Sequence, residues 1–308
     1  MGGDMATISV GGAAGEGFSV IRRHPGAVAI WALLVVGLLA FRIAVSVPIY
    51  VTLFARMAHG AVGGGASPDI TALLPQLQQA QALGFLLSLA SLFVNTVVIC
   101  AVYRAVLRPE QNQFGYLRVG SAELFLCVFT IGAIIAFVIA AIVVAIPLAL
   151  IGAIVAHGSP GGGAVFGAMA AIAVLVGATY LILRISLIGP MMVDDGQFHL
   201  GEAWALTRGK VGSLFLIALL LVIMILTAEI VLVGIGAGLV GAMALGIGQV
   251  QTLAQQSPAA LLSRFAPVLL VEGVGWIVLI AVVMPVFAAP WARAYRDLRQ
   301  TDVAAAFS

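Results

Sequence analysis

Residues 121–156 decide the fold class of this chain and read SAELFLCVFTIGAIIAFVIAAIVVAIPLALIGAIVA, with Glu123 as their one charged side chain. An α-helix rises about 1.5 Å per residue, so a helix of this length exceeds the roughly 30 Å hydrocarbon core of a bilayer. The run therefore predicts a transmembrane helix that tilts, projects from the membrane or kinks at Pro147, where one intrahelical hydrogen bond is lost.

The composition extends this prediction to the whole chain. Hydrophobic residues make up 63% of the 308 residues and charged residues 8%, whereas a soluble domain carries about 25% charged residues. Further apolar runs precede and follow the first, and together they predict an all-α, polytopic transmembrane helical bundle with six spans. The predicted spans cover residues 26–57, 83–107, 121–156, 165–191, 212–246 and 266–291. The six-span domain occupies residues 16–300, between a disordered tail at residues 1–15 and a C-terminal tail at residues 301–308.

The basic residues gather at alternate ends of the predicted spans. One set of ends, here called the arginine-rich ends, holds Arg22, Arg23, Arg104, Arg108, Arg118, Arg184, Arg208, Lys210, Arg293, Arg296 and Arg299. The opposite set holds Arg56 and Arg264. Because positively charged loops stay in the cytoplasm, this asymmetry predicts a multi-pass membrane protein with both termini cytoplasmic.

An internal repeat is indicated by motifs that recur before alternate spans. Phe18-x3-Arg22, Phe114-x3-Arg118 and Trp204-x3-Arg208 precede the first, third and fifth spans. Pro48 and Pro147 are each followed by an Ala-His-Gly-x-x-Gly-Gly-Gly string. These patterns predict a unit of one interfacial helix plus two spans, although aromatic and arginine residues also gather at membrane interfaces without any repeat.

Three charged side chains, Arg42, Glu229 and Glu272, fall inside predicted spans and form a predicted intramembrane charge layer near the outer leaflet. Charges at this depth are costly and frequently functional. An ion pair between Arg42 and one glutamate is the favoured interpretation. A proton or substrate path through the second glutamate and snorkelling towards water are the alternatives.

The most polar part of the chain runs from Asp194 to Lys210. Trp204 suits the headgroup level of a membrane, and Arg208 and Lys210 suit lipid phosphates or a docking partner. The alternative is an interfacial helix that only orients the fifth span. The pair His59 and His157 lacks a nearby carboxylate or cysteine, so the sequence predicts no metal site.

No recognisable catalytic motif occurs in the sequence. It contains no phosphate-binding G-x-x-x-x-G-K-[ST], no H-E-x-x-H, no G-x-S-x-G and no C-x-x-C. We therefore expect a non-enzymatic protein without a cofactor.

The net charge of +2 does not favour a nucleic-acid partner. The expected partners are membrane lipids and another membrane protein or a second copy of the chain. Close helix packing within one chain is the favoured interpretation of Gly234, Gly236, Gly238 and Gly241, and a homodimer contact is the alternative.

The segment after the fourth span carries a family resemblance. The strings RISLIGP at 184–190, DG at 195–196 and GEAWALTRG at 201–209, with FGYLR at 114–118, Glu123 and WARAYR at 291–296, resemble the membrane domain found attached to some bacterial glycerophosphoryl diester phosphodiesterases. The resemblance covers residues 15–300. Since the phosphodiesterase chemistry of such fusions belongs to a separate soluble domain, it implies no catalytic residue in this chain.

Together with the resemblance, these observations favour a non-enzymatic bacterial inner-membrane protein that acts as a lipid-associated scaffold or as an accessory subunit of a membrane complex. The first alternative is a transporter or lipid-handling protein that uses a repeat-related cavity with Arg42, Glu229 and Glu272. A weaker alternative is an enzyme that acts on lipid headgroups at the cytoplasmic interface.

Overall fold

The computed structural model describes residues 8–62, 70–245 and 258–306. Every regular element among them is helical. In chain order the α-helices are α1 (Val10–Arg23), α2 (Pro25–Val62), α3 (Ile70–Leu107), α4 (Ser121–Gly158), α5 (Pro160–Ile185), α6 (Ile188–Asp195), α7 (Leu200–Leu206), α8 (Val211–Leu245) and α9 (Pro258–Ala306), with a 3-10 turn at Gln113–Tyr116 before α4.

Six helical segments are long and apolar enough to cross a membrane, and each overlaps one predicted span. They are Pro25–Ile49, Leu77–Leu107, Gln113–Gly158, Gly161–Asp195, Val211–Gly241 and Ala266–Gln300. The chain is therefore an all-α, multi-pass membrane protein, and the six-span prediction is confirmed. The second span begins at Leu77 rather than at residue 83, and the sixth continues to Gln300 rather than ending at residue 291.

Apolar side chains in the middle of the spans point outward. In α4, Ile142, Val143 and Ile146 are each more than half exposed. A water-soluble protein rarely leaves so large a continuous apolar surface uncovered, whereas lipid chains would cover it at no cost. Pro48 and Pro147 both lie inside continuous helices, α2 and α4.

Local sequence sets several helix boundaries. Pro25 opens α2 at a position where its missing N–H is not needed. Ser159 caps α5, because its hydroxyl oxygen accepts a hydrogen bond from the Gly162 N–H at 3.2 Å. Gly196 ends α6 with φ of 75°, in the left-handed region that glycine adopts without strain.

The disordered tail predicted at residues 1–15 is wrong for residues 10–15, because α1 begins at Val10. Ala13, Ala14 and Val20 are almost fully buried. Close packing follows from the next glycine along the helix, since a Cβ atom on Gly17 would lie 2.4 Å from the Val286 Cα atom of α9. Residues 1–7 lie outside the described part. At the other terminus α9 continues to Ala306, so residues 301–306 are helical.

α-Helices contain the aromatic residue of two of the three motifs, Phe18 in α1 and Trp204 in α7. The helix predicted at the third motif is wrong in its local structure, because Phe114 lies on the 3-10 turn. Phe114, Gly115 and Tyr116 have φ of 49°, 65° and 65°, and this backbone cannot continue as an α-helix. The repeat itself remains a prediction.

The chain forms two compact units. Unit 1 comprises residues 1–22, 99–223 and 285–308, and it contains α1, α4 to α7 and the arginine-rich ends of α3, α8 and α9. Unit 2 comprises residues 23–98 and 224–284, and it contains α2 with the remaining parts of α3, α8 and α9. Within unit 1, α4 packs against α5.

Candidate functional site

Three spans have ends in unit 1 that surround a cleft of 360 Å³. The second, fourth and sixth spans end at Leu107, Asp195 and Gln300. The cleft is lined by Leu107, Asp194, Tyr295, Arg296, Arg299 and Gln300. We call it the span-end cleft. Its lining combines one carboxylate with two guanidinium groups, an amide and a phenol, so it is a polar site at the ends of apolar helices.

Asp194 joins all three span ends through hydrogen bonds. The Tyr295 hydroxyl donates to Asp194 Oδ2 at 3.0 Å, and Arg299 Nη1 donates to the same oxygen. Arg108 Nη2 donates to the Asp194 backbone carbonyl, and Arg108 Nε lies 3.9 Å from Oδ1. Arg299 Nη1 also donates to the Tyr295 hydroxyl at 2.9 Å. The carboxylate is thus already supplied with donors from α3 and α9.

Arginine N–H groups outnumber their acceptors at the cleft. A guanidinium has five N–H donors, and the bond from Arg296 Nη1 to the Val106 carbonyl oxygen, at 3.3 Å, occupies one of them. The side chain of Arg299 is 54% exposed. Arg296 and Arg299 are three residues apart on α9, which places them on one side of the helix. Such an arrangement suits an anion with several oxygen atoms.

A buried ion pair holds the beginning of α4. Arg104 Nη2 donates to Glu123 Oε1, and Arg104 Nη1 donates to the Tyr116 carbonyl oxygen at 3.2 Å. The second carboxylate oxygen of Glu123 accepts the Gly120 N–H at 2.9 Å, so it also caps the helix. The Glu123 side chain is fully buried. This pair is a structural connection between α3 and α4 and is closed to solvent.

Trp204, which was predicted at the headgroup level, is partly exposed and partly covered by the Arg184 side chain. Its side chain is 41% exposed, and the Arg184 guanidinium carbon lies 4.7 Å from its ring centroid. Arg184 also donates to the Trp204 carbonyl at 2.8 Å and to the Tyr180 hydroxyl at 2.9 Å. Arg208 is exposed and Lys210 half-buried. These contacts attach α7 to the end of α5 and leave Arg208 accessible.

The predicted charge layer falls in unit 2. Arg42 is exposed, while Glu229 and Glu272 are half-buried. Among the described residues neither glutamate forms a salt bridge with Arg42. Instead Glu272 lies against Gly236, where an added Cβ would meet its carboxylate. Glu272 Oε1 is buried and accepts no hydrogen bond from the described residues. The favoured ion pair is therefore not formed in the described part of the chain.

Of the two histidines in the repeated strings, the structure describes the side chain of His157. His157 is exposed, and its Nδ1 lies 3.1 Å from the Ala153 carbonyl oxygen. The side chain of His59 lies outside the described residues. No group of three potential metal ligands occurs within residues 8–62, 70–245 and 258–306. Outside the spans, burial and the neighbouring charge of Arg23 lower the pKa of His24 below its usual value.

A longer match between two of the predicted repeat units was not among the motifs predicted from the sequence. Residues 15–22 read GEGFSVIR and residues 201–208 read GEAWALTR. In both segments the small residue after the glutamate is buried, and the next aromatic residue is exposed. The buried Gly17 and Ala203 could have been found by aligning the two motifs over their full length. Asp194 was also missed as the centre of a network, because its partners lie far away in the sequence.

The comparisons with known proteins leave the family open. No protein-family model matches the chain, and no curated protein and no solved structure matches it either. The resemblance to a phosphodiesterase membrane domain therefore stays a prediction.

Proposed function

We propose that this chain is a non-enzymatic protein of the bacterial inner membrane that acts as a lipid-associated scaffold or as an accessory subunit of a membrane complex. The observation that carries the proposal is the set of exposed aromatic and arginine pairs in unit 1. Phe18 with Arg22, Phe114 with Arg118 and Trp204 with Arg208 all have exposed side chains. Such pairs anchor a helix at the level of lipid headgroups.

Two buried arginines of unit 1, Arg104 and Arg184, support a structural role. Arg104 and Glu123 bind each other, and Arg184 binds Tyr180 and the Trp204 carbonyl. Groups held in such fixed pairs stabilise the helix ends and are not free to transfer protons. This use of the charged groups favours a scaffold over an enzyme that acts on headgroups.

The proposed orientation places the arginine-rich ends and both termini in the cytoplasm, on the basis of the charge asymmetry of the loops. The aromatic and arginine pairs would then contact the cytoplasmic leaflet, whose anionic lipids attract basic side chains by about 1 kcal/mol each. A reporter that is active only in the periplasm should be inactive when fused to either terminus. Reporter activity at either terminus would contradict this topology.

The scaffold proposal is tested by native mass spectrometry of the whole chain released from membranes in a mild detergent. We expect retained phospholipid or a stoichiometric second subunit. The variant F18A/F114A removes two exposed rings and should retain less phospholipid than F85A, which removes an exposed ring within the second span. The proposal would be contradicted if the unmodified chain and both variants were all detected as monomers without phospholipid or a second subunit.

A transporter or lipid-handling protein is the second candidate. It is favoured by Glu272 Oε1, which is buried and accepts no hydrogen bond from the residues that the structure describes. A transport path predicts that water reaches the layer of Arg42, Glu229 and Glu272. The variant E272C, in a background with Cys100 and Cys127 replaced by serine, would then react with a membrane-impermeant maleimide in liposomes. S263C, at an exposed position before the sixth span, is the positive control. The scaffold proposal predicts that S263C reacts and that E272C does not.

A further inference from the structure

We propose that the span-end cleft is a binding site for a phosphate group, supplied by the headgroup of an anionic phospholipid or by free phosphate. The proposal concerns one saturable site and does not depend on the scaffold role. Arg296 and Arg299 would bind the phosphate oxygens directly, while Arg108 contributes positive charge from the end of α3.

The donors of the cleft point to an anion. Arg296 and Arg299 line it, Arg108 touches Asp194, and the Tyr295 hydroxyl and Gln300 amide complete the polar wall. Guanidinium groups form paired, charge-assisted hydrogen bonds with phosphate oxygens, and these bonds are about twice as strong as neutral ones.

A cation is a poorer fit, although Asp194 lines the same cleft. Its Oδ2 already accepts hydrogen bonds from Tyr295 and Arg299, and Oδ1 faces Arg108 at 3.9 Å. Two neighbouring carboxylates are occupied elsewhere: Asp195 lies 3.6 Å from His199, and Asp297 accepts a hydrogen bond from Arg293 at 3.0 Å. Asp194 therefore acts as a positioning residue that holds Arg299 and Arg108 at the cleft.

The size and place of the cleft limit the ligand further. A volume of 360 Å³ is at the lower end of the range for small-molecule sites, so it accommodates a headgroup and not a whole lipid. Leu107 gives it one apolar wall, against which the first carbons of a lipid would pack. Because the cleft lies where three apolar spans end, a phospholipid in the surrounding leaflet has its phosphate at this level.

The test measures binding to the purified full-length chain in a neutral detergent, by its thermal stabilisation during titration. One titration uses inorganic phosphate and the other uses a short-chain phosphatidylglycerol. We expect saturable stabilisation, with R296Q and R299Q binding at least about tenfold more weakly. R23Q, which removes an exposed arginine that belongs neither to the cleft nor to the aromatic and arginine pairs, should bind like the unmodified chain. L107W fills the cleft without changing its charge and should also bind at least about tenfold more weakly.

The two titrations distinguish the source of the phosphate. Saturation by the lipid alone identifies a headgroup site, and saturation by inorganic phosphate as well identifies a site for free phosphate. Both results support the proposal if the variants of the cleft weaken binding and R23Q does not. If neither probe saturates, or if L107W and R23Q bind equally well, the cleft does not bind phosphate. If R296Q or R299Q no longer elutes as a single species in size-exclusion chromatography, the comparison rests on L107W, which retains every charged group.

Discussion

Replacing Glu123 by glutamine is expected to lower the free energy of unfolding by about 3–5 kcal/mol, because it leaves the Arg104 guanidinium buried without its counter-charge. The Arg104 side chain is 9% exposed and that of Glu123 is fully buried. Glutamine keeps a side-chain oxygen that can accept the Gly120 N–H, now made at 2.9 Å. The change therefore removes the charge and largely preserves the helix cap. Titration of mixed micelles with a denaturing detergent measures the effect.

Two further variants separate the ion pair from a general loss of charge. E110Q removes an exposed glutamate and should change the free energy of unfolding by less than about 0.5 kcal/mol. The double variant R104M/E123L replaces the pair by apolar side chains and should recover most of the loss, since the desolvation cost of both charges disappears with them. If E123Q were as stable as E110Q, the pair would contribute nothing to stability.

The spans were predictable because a bilayer imposes two simple requirements. A crossing segment needs enough apolar residues to match the hydrocarbon thickness, and it must satisfy its own backbone hydrogen bonds as a helix. The run at residues 121–156 meets both, and α4 extends over Ser121–Gly158. Neither requirement depends on which helices are neighbours.

The pairing of charges was not predictable from the same information. Position along a span gives the depth of a side chain, but it does not give the direction in which that side chain points. Arg42, Glu229 and Glu272 were predicted at similar depth, yet Glu272 lies against Gly236 and its Oε1 accepts no hydrogen bond within the described structure. Conversely, Asp194 and Arg299 are 105 positions apart in the sequence and bind each other. Which charges meet depends on helix packing, which the sequence pattern leaves open.

The N-terminal segment shows a second limit. Glycine and alanine predict disorder when they are counted, because they offer little apolar surface to bury. In α1 a glycine of the same kind, Gly17, lets the helix approach α9 closely, as small residues do within membrane proteins. Composition does not distinguish a disordered segment from a closely packed helix. The difference depends on whether another helix lies against the small residues.

Replacing Gly17 by alanine is therefore expected to destabilise the protein, although alanine is the better helix former by about 1 kcal/mol. The added Cβ would lie 2.4 Å from the Val286 Cα atom and 2.8 Å from the Pro285 carbonyl oxygen. Both are backbone atoms, so no side-chain rotation relieves the overlap, and overpacking of this kind costs about 1–3 kcal/mol. Gly15 is on the same helix, and a Cβ atom added there would meet nothing within 4 Å. G15A should therefore be stabilising, and the same detergent titration should separate the two variants by about 2 kcal/mol.

The ion pair next to Gly17 provides a second readout of the same contact. Glu16 Oε2 lies 3.2 Å from Arg293 Nη1 on α9, so any displacement of α1 by the Gly17 substitution lengthens this bridge. R293Q should then cost less in the G17A background than in the unmodified chain, whereas its cost should be unchanged in the G15A background. This non-additivity is expected only for residues that share a contact. Equal costs of R293Q in all three backgrounds would show that α1 tolerates the extra methyl group without moving away from α9.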